Sequence, residues 1–446
     1  MASRLVLGTA RPEPPSRMAT SSASARGVKW GMESRFSRRG LNGLNFFVAA
    51  IQAGFGPFVV VWLTQQRWTE TAIGLALSIS SGAALLGQLP GGWLVDSVHH
   101  KRPLATLAIT ATGCAALLLG LLPRPASAYS AQAMNALASC IITPSIAAIT
   151  LRLCGHEAYG ARLGVNARYA SLGAAAAAGL LGICASYVSY RAVFVATAFL
   201  VVPALLALYT IRSTEVAEDE KHPALLHPRE RRERAIRPTH VFHEPALHIF
   251  AVCAVLFHLG NAAMLPVALD QLAQQGARTG LVISFAVIVP QLIVAVLSPW
   301  AGSLAQTLGR RPVLLAGFAA LPLRGLLFAA VAWAGLTGPS LVAIQVLDGV
   351  SAAVFGLMVP LIAADTTQRS GYLNLAIGSL GLATGIGATV STSVAGVVAD
   401  RFGATAAFFG LAAAGLAAWL LVLFGLPETR PEPRSSAAPL PCTSGR

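Results

Sequence analysis

The chain has 446 residues, 55% of them hydrophobic and only 11% charged, with a net charge of +14. A mean hydropathy of +0.65 excludes an ordinary soluble protein. The positive charge does not call for a nucleic-acid partner, because the basic residues sit between apolar runs without the aromatic interleaving of a binding surface.

Residues 1–40 are rich in Ser, Ala and Arg and hold two acids, Glu13 and Glu33. They lack the apolar core of a secretory signal. An organellar transit peptide has a similar composition; a disordered cytoplasmic extension is the favoured reading, with Met32 an equally natural beginning. From residue 41 onward, apolar runs of about 20 residues recur, the length that crosses a hydrocarbon core. They predict spans 1 to 6 at 41–65, 72–96, 104–122, 128–152, 165–188 and 191–212. The stretch 213–245 is charged and polar and reads as a cytoplasmic linker between an N-terminal half (41–212) and a C-terminal half (246–425). Spans 7 to 12 follow at 246–267, 280–302, 313–334, 340–364, 374–399 and 403–425, before a disordered tail at 426–446. The expected fold is all-α and membrane-embedded, with twelve transmembrane helices in two six-helix bundles. The many glycines (42) and prolines (26) fit packed membrane helices.

Twelve spans place both termini on one side. Of the 32 Lys and Arg residues, five (Arg67, Arg124, Arg191, Arg278, Arg401) fall on the other side, Arg324 falls inside a span, and the remaining 26 lie with the termini. The positive-inside bias therefore puts both termini in the cytoplasm, and a bacterial inner membrane is the expected location. Cys114, Cys140, Cys184 and Cys253 fall within spans, and Cys154 and Cys442 fall in segments read as cytoplasmic, so no disulfide framework is implied.

The two halves share sequence features. Pro57 with Leu63, Gln65 and Gln66 recurs as Pro266 with Leu272, Gln274 and Gln275, and Pro144 to Thr150 recurs as Pro360 to Thr366. A duplicated six-helix unit of this kind places a solute site near the midplane, where the halves meet. A loop signature is also repeated. After span 2 the chain reads Gly92-Trp93-Leu94-Val95-Asp96, ending in Lys101-Arg102. After span 8 it reads Gly302-Ser303-Leu304-Ala305-Gln306, ending in Gly309-Arg310-Arg311. Gly92 and Gly302 let helices approach closely. Asp96 can bind backbone N–H groups of the next helix, and Arg310 and Arg311 are expected at anionic headgroups.

These loops resemble the Gly-x-x-x-Asp-Arg-x-Gly-Arg-Arg signature of the major facilitator superfamily. The first copy departs by lacking the inner Arg and Gly, the second by carrying Gln306 in place of the acid. The resemblance spans residues 41 to 425 and implies a secondary transporter in which spans 1, 4, 7 and 10 line a central cavity.

Three ionisable residues lie well inside spans: His258, Arg324 and Asp348. Such groups are functional candidates by default. Arg324 and Asp348 enter their spans from opposite faces, roughly 16 and 12 Å deep at about 1.5 Å per residue. Across a core of about 30 Å these are nearly matching depths on consecutive helices, so an ion pair is expected. Two roles stay open: a lock between spans 9 and 10, or a coupling group in which Asp348 takes up a proton or cation. His258 is a second proton carrier or a neutral helix contact. Gln345 joins Asp348 on span 10, Gln132 and Asn135 sit at equivalent places on span 4, and Asn261 on span 7 corresponds to Gln52 on span 1. Each amide serves a cavity for a polar organic solute or an interhelical hydrogen bond.

No phosphate-binding glycine loop, metal-ligand cluster or nucleophile motif appears, so neither an enzyme nor a cofactor is expected. The expectation is a monomeric carrier in the lipid bilayer, exchanging a small-molecule solute with protons. Efflux of small organic or drug-like compounds comes first and metabolite uptake second. A non-transporting sensor or assembly factor with this fold is the rival.

Overall fold

The computed structural model describes residues 34–212 and 241–431, except positions 56, 123, 242, 275–279, 336 and 369. Of the expected extension, linker and tail, residues 1–33, 213–240 and 432–446 lie outside the described residues. The described chain is almost wholly helical. Span 1 is Arg35–Ala53 with Pro57–Gln65, span 2 Glu70–Ser97 and span 3 Lys101–Leu121. Pro125–Tyr187 follows, then span 6 as Tyr190–Phe199 with Val201–Thr210. Span 7 is Pro245–Asn261 with Met264–Gln274, span 8 Gly280–Thr307 and span 9 Arg310–Ala334. Spans 10 to 12 are Gly338–Thr366, Leu373–Phe402 and Ala404–Phe424.

Among the described residues, 11 helical stretches are long and apolar enough to cross a membrane. The longest, Pro125–Tyr187, has 63 residues. Straight, it would run about 95 Å at roughly 1.5 Å per residue, about three hydrocarbon cores. It turns instead at Gly155, whose φ of 69° and ψ of 172° suit only glycine. Behind the turn, Tyr159 donates to the carbonyl of Ala147 and Asn166 to the Thr150 hydroxyl at 2.9 Å. The stretch is therefore spans 4 and 5, and the span count is twelve.

Local chemistry sets the helix starts. The hydroxyls of Ser34, Thr69, Ser189 and Thr337 cap spans 1, 2, 6 and 10 by accepting from the N–H three residues on. Spans 1 and 7 break at related places, just ahead of the repeated Pro57 and Pro266.

Two expected boundaries move. Span 1 begins at Arg35, with Ser37 and Gly40 buried, so residues 35–40 belong to the bundle and not to a disordered extension. The Ser34 cap explains that start. Residues 426–431 also pack on the bundle: Leu426 is buried and Glu428 caps span 9, as described below.

The halves meet along two seams, span 2 against span 11 and span 5 against span 8, on the side that carries the chain ends. There the backbones nearly touch. A Cβ on Gly92 would stand 2.8 Å from the carbonyl carbon of Asn374, and one on Gly164 would stand 2.8 Å from Cα of Pro299. Asp96 accepts from the N–H groups of Asn374 (3.1 Å) and Leu375 (2.7 Å) and from the Asn374 amide (2.6 Å). It thus caps span 11 across the half boundary, not the next helix in sequence as expected, because the free N–H groups that face it are those of span 11. Arg168 on span 5 donates to the carbonyl of Ala295 on span 8 at 3.0 Å. Toward the opposite side these close approaches stop: Gly74 and Gly82 of span 2 and Gly179 and Gly182 of span 5 meet nothing within 4 Å.

Candidate functional site

Arg324 is the centre of the site. Leu314, Phe318 and Phe328 of the same helix are buried in the core of the C-terminal half, and Arg324 rides inward with them at 1% exposure. Nη1 donates to Asp348 Oδ1 at 2.7 Å and to Asn261 Oδ1. Nη2 donates to Gln345 Oε1 at 2.7 Å, and the Gln345 amide donates in turn to the carbonyl of Ala286 on span 8 at 3.1 Å. The guanidinium carbon lies 5.6 Å from the centre of the Phe328 ring. Spans 7, 9 and 10 thus converge on one cation and span 8 braces it through Gln345, an arrangement that a buried charge requires if it is to stay charged. Asp348 is the less enclosed partner: its side chain is 21% exposed against 2% for that of Arg324.

The spacing of three between Gln345 and Asp348 puts both on one face of span 10, and both reach Arg324. Asn261 joins them from span 7. His258 stands nearby, its Nδ1 3.3 Å from the carbonyl of Ala254 and its ring 4.8 Å from that of Phe355. Phe355 stacks on Phe257 at 4.6 Å, so the imidazole sits against an aromatic wall. On the N-terminal half, Gln132 is buried and Gln52 and Asn135 are partly exposed. Among the described residues no side-chain hydrogen bond joins these three to the Arg324 cluster, and Asn135 Oδ1 is buried without a partner.

The loop residues gather at the side of the chain ends. Arg310 was expected at headgroups but is 2% exposed and turns inward. It holds Asp365 through two bonds, at 2.8 and 3.1 Å, and also donates to Gln306 (3.2 Å) and to the carbonyl of Ala305 (2.7 Å). Asp365 on span 10 supplies the acid that Gln306 cannot. Glu428 accepts from the N–H groups of Arg310 (2.8 Å) and Arg311 (3.1 Å), while Gly309 at φ 106° opens the turn. Arg311 reaches the carbonyl of Leu423 on span 12. Gly302 packs against Gly160 of span 5.

Sequence reasoning missed Asp365, Glu428 and Asn374. Asp365 carried a signal: it is the one acid in the repeated Pro360–Thr366 stretch, facing Ile149 in the other copy.

Two bundles of six membrane-spanning helices, joined along paired seams, with a charge pair buried inside the second, define a membrane transporter. The chain belongs to the major facilitator superfamily, whose family model matches residues 41–271 and 250–443. It is 34% identical over 395 residues to uncharacterized MFS-type transporters of Mycobacterium tuberculosis strains CDC 1551 and H37Rv, covering 88% of this chain and 93% of each relative. Among solved structures, it resembles the MFS proton:xylose symporter XylE, with a TM-score of 0.70 at 13% identity over 89% of this chain and 96% of that one. The human organic anion transporter MFSD10 (TETRAN) gives 0.66 at 16% identity over 87% and 98%. At these identities the two structures speak for the fold alone.

Proposed function

We propose that the protein is a proton-coupled secondary transporter that works by alternating access and exports small organic compounds. It is read as a monomer in the plasma membrane of a bacterium, with both termini in the cytoplasm. The observation that carries the coupling is the Arg324–Asp348 pair, with its acid the more exposed partner. A carboxylate that faces both a buried cation and the interior of the bundle is suited to exchange a proton when its surroundings change. Arg324 sets the charge balance around Asp348, and His258 is the second candidate carrier. With the termini in the cytoplasm, tight seams on that side and fewer close approaches on the other correspond to a carrier open to the outside. Gly92, Asp96, Gly302, Gly309, Arg310 and Arg311 then serve as the inner gate. Gln52, Gln132, Asn135, Asn261 and Gln345 offer amides to the solute.

The test is solute accumulation in proteoliposomes under an imposed pH gradient. Asp348→Asn should abolish accumulation against a gradient while solute exchange continues. If the variant still concentrates solute normally, the pair is a structural lock and coupling lies elsewhere, with His258 next in line.

A further inference from the structure

Arg324 has five N–H donors to place. Its partners are three oxygens, those of Asp348, Asn261 and Gln345, and its Nε is buried without one. At 1% exposure the guanidinium offers nothing to the interior of the bundle. A carboxylate or phosphate on a solute would have to displace one of these oxygens from inside a packed core. No Lys or Arg of spans 1, 4, 7 and 10 compensates. The segments 41–66, 125–151, 246–274 and 338–368, which contain spans 1, 4, 7 and 10, hold no Lys or Arg.

The acceptor side is different. Asp348 uses one oxygen on Arg324; its second oxygen takes no hydrogen bond from any described residue, and the side chain is 21% exposed. A carboxylate has about four lone-pair sites, so it can hold Arg324 and a second donor together. Asn261 and Gln345 both turn their oxygens to the guanidinium, and these two dipoles offset part of its charge. Asp348 therefore keeps negative charge to spare. Phe355 lies two turns further along span 10 on the same face as Asp348 and packs with Phe257 and His258 in the core.

We infer that the solute is an organic cation, a protonated amine or a quaternary ion, held by the free oxygen of Asp348, and that organic anions of the same shape are refused. The inference rests on the carrier reading above and narrows its solute. The probe is tetraphenylphosphonium, with tetraphenylborate as its oppositely charged isostere, in equilibrium dialysis with the full chain in uncharged nanodiscs. Tetraphenylphosphonium should bind saturably and tetraphenylborate should not. Asp348→Asn should weaken the cation at least ten-fold and Asp348→Glu should keep it, with folding of both checked by size-exclusion chromatography. Equal binding of the two ions, binding unchanged in Asp348→Asn, or no saturable binding of the cation each overturns the inference. Flux in proteoliposomes separates it from the carrier reading. Selective cation binding without any flux leaves the charge preference standing and removes the carrier. Flux of a neutral or anionic solute without cation binding removes the preference and leaves the carrier.

Discussion

The closeness of the seams makes a quantitative prediction about conformation. A methyl group at Gly92 would lie 2.8 Å from the carbonyl carbon of Asn374 and 3.1 Å from Cα of Leu375. Carbon atoms rest about 3.5–4.0 Å apart, so spans 2 and 11 would have to separate by roughly 0.7–1.2 Å. The carbonyl oxygen of Asn374 is nearer still, all three obstructing atoms are backbone, and no rotamer change relieves them. The same change at Gly164 meets the backbone of span 8 at 2.8 Å. Overpacking of this kind costs about 1–3 kcal/mol, which moves a two-state equilibrium by roughly 5- to 150-fold. Gly92→Ala and Gly164→Ala should therefore shift the protein away from the form with tight seams on the side of the chain ends. Gly82→Ala gains the same helix propensity but meets nothing within 4 Å, so it should leave the balance unchanged. Spin labels on Leu75 and Val397, both exposed toward the opposite ends of spans 2 and 11, would report the change as a distance distribution. Distributions identical in all three variants would refute the reasoning.

Other outcomes follow from the ion pairs and the chain ends. Arg324→Ala leaves the half-buried Asp348 beside two unmatched amide oxygens and should destabilise by up to about 3–5 kcal/mol. Adding Asp348→Asn should recover part of that loss, and thermal unfolding in detergent that puts the double variant no higher than the single one would contradict the pairing. Glu428→Ala removes the cap from two N–H groups of span 9 and should cost about 0.5–2 kcal/mol in the same assay. Protease should cut residues 213–240 in inside-out vesicles and leave two membrane-embedded halves; cutting in right-side-out vesicles instead would reverse the proposed orientation.

Hydropathy and charge located the spans because both act over windows of about 20 residues and need no knowledge of neighbours. Depth from the span ends was enough to anticipate Arg324 with Asp348, since rise per residue is fixed in a helix. The spacing of three anticipated Gln345 as their companion. What the sequence hid were contacts set by how helices lean on one another. Asp96 meets Asn374, 278 positions away, and no local pattern records that register. Arg310 looked like a surface anchor because its partner, Asp365, comes from the far end of another span. Gln306 looked like a lost acid when the charge had moved to a different helix. The start of span 1 was read late because the polar residues 34–39 mask a helical turn that Ser34 caps.

The clasp made by Glu428 and Arg430 bears on how the protein is made. Arg430 donates to the carbonyl of Thr307, so the residues just past the last span tie together the turn that opens span 9. Span 9 precedes those residues in the chain, so its first N–H groups are capped only by a segment made after span 12. The chain-end face of the second half is thus completed only after all six of its spans have been made. A chain interrupted at the end of span 12 would carry all twelve helices and still leave that face unfinished.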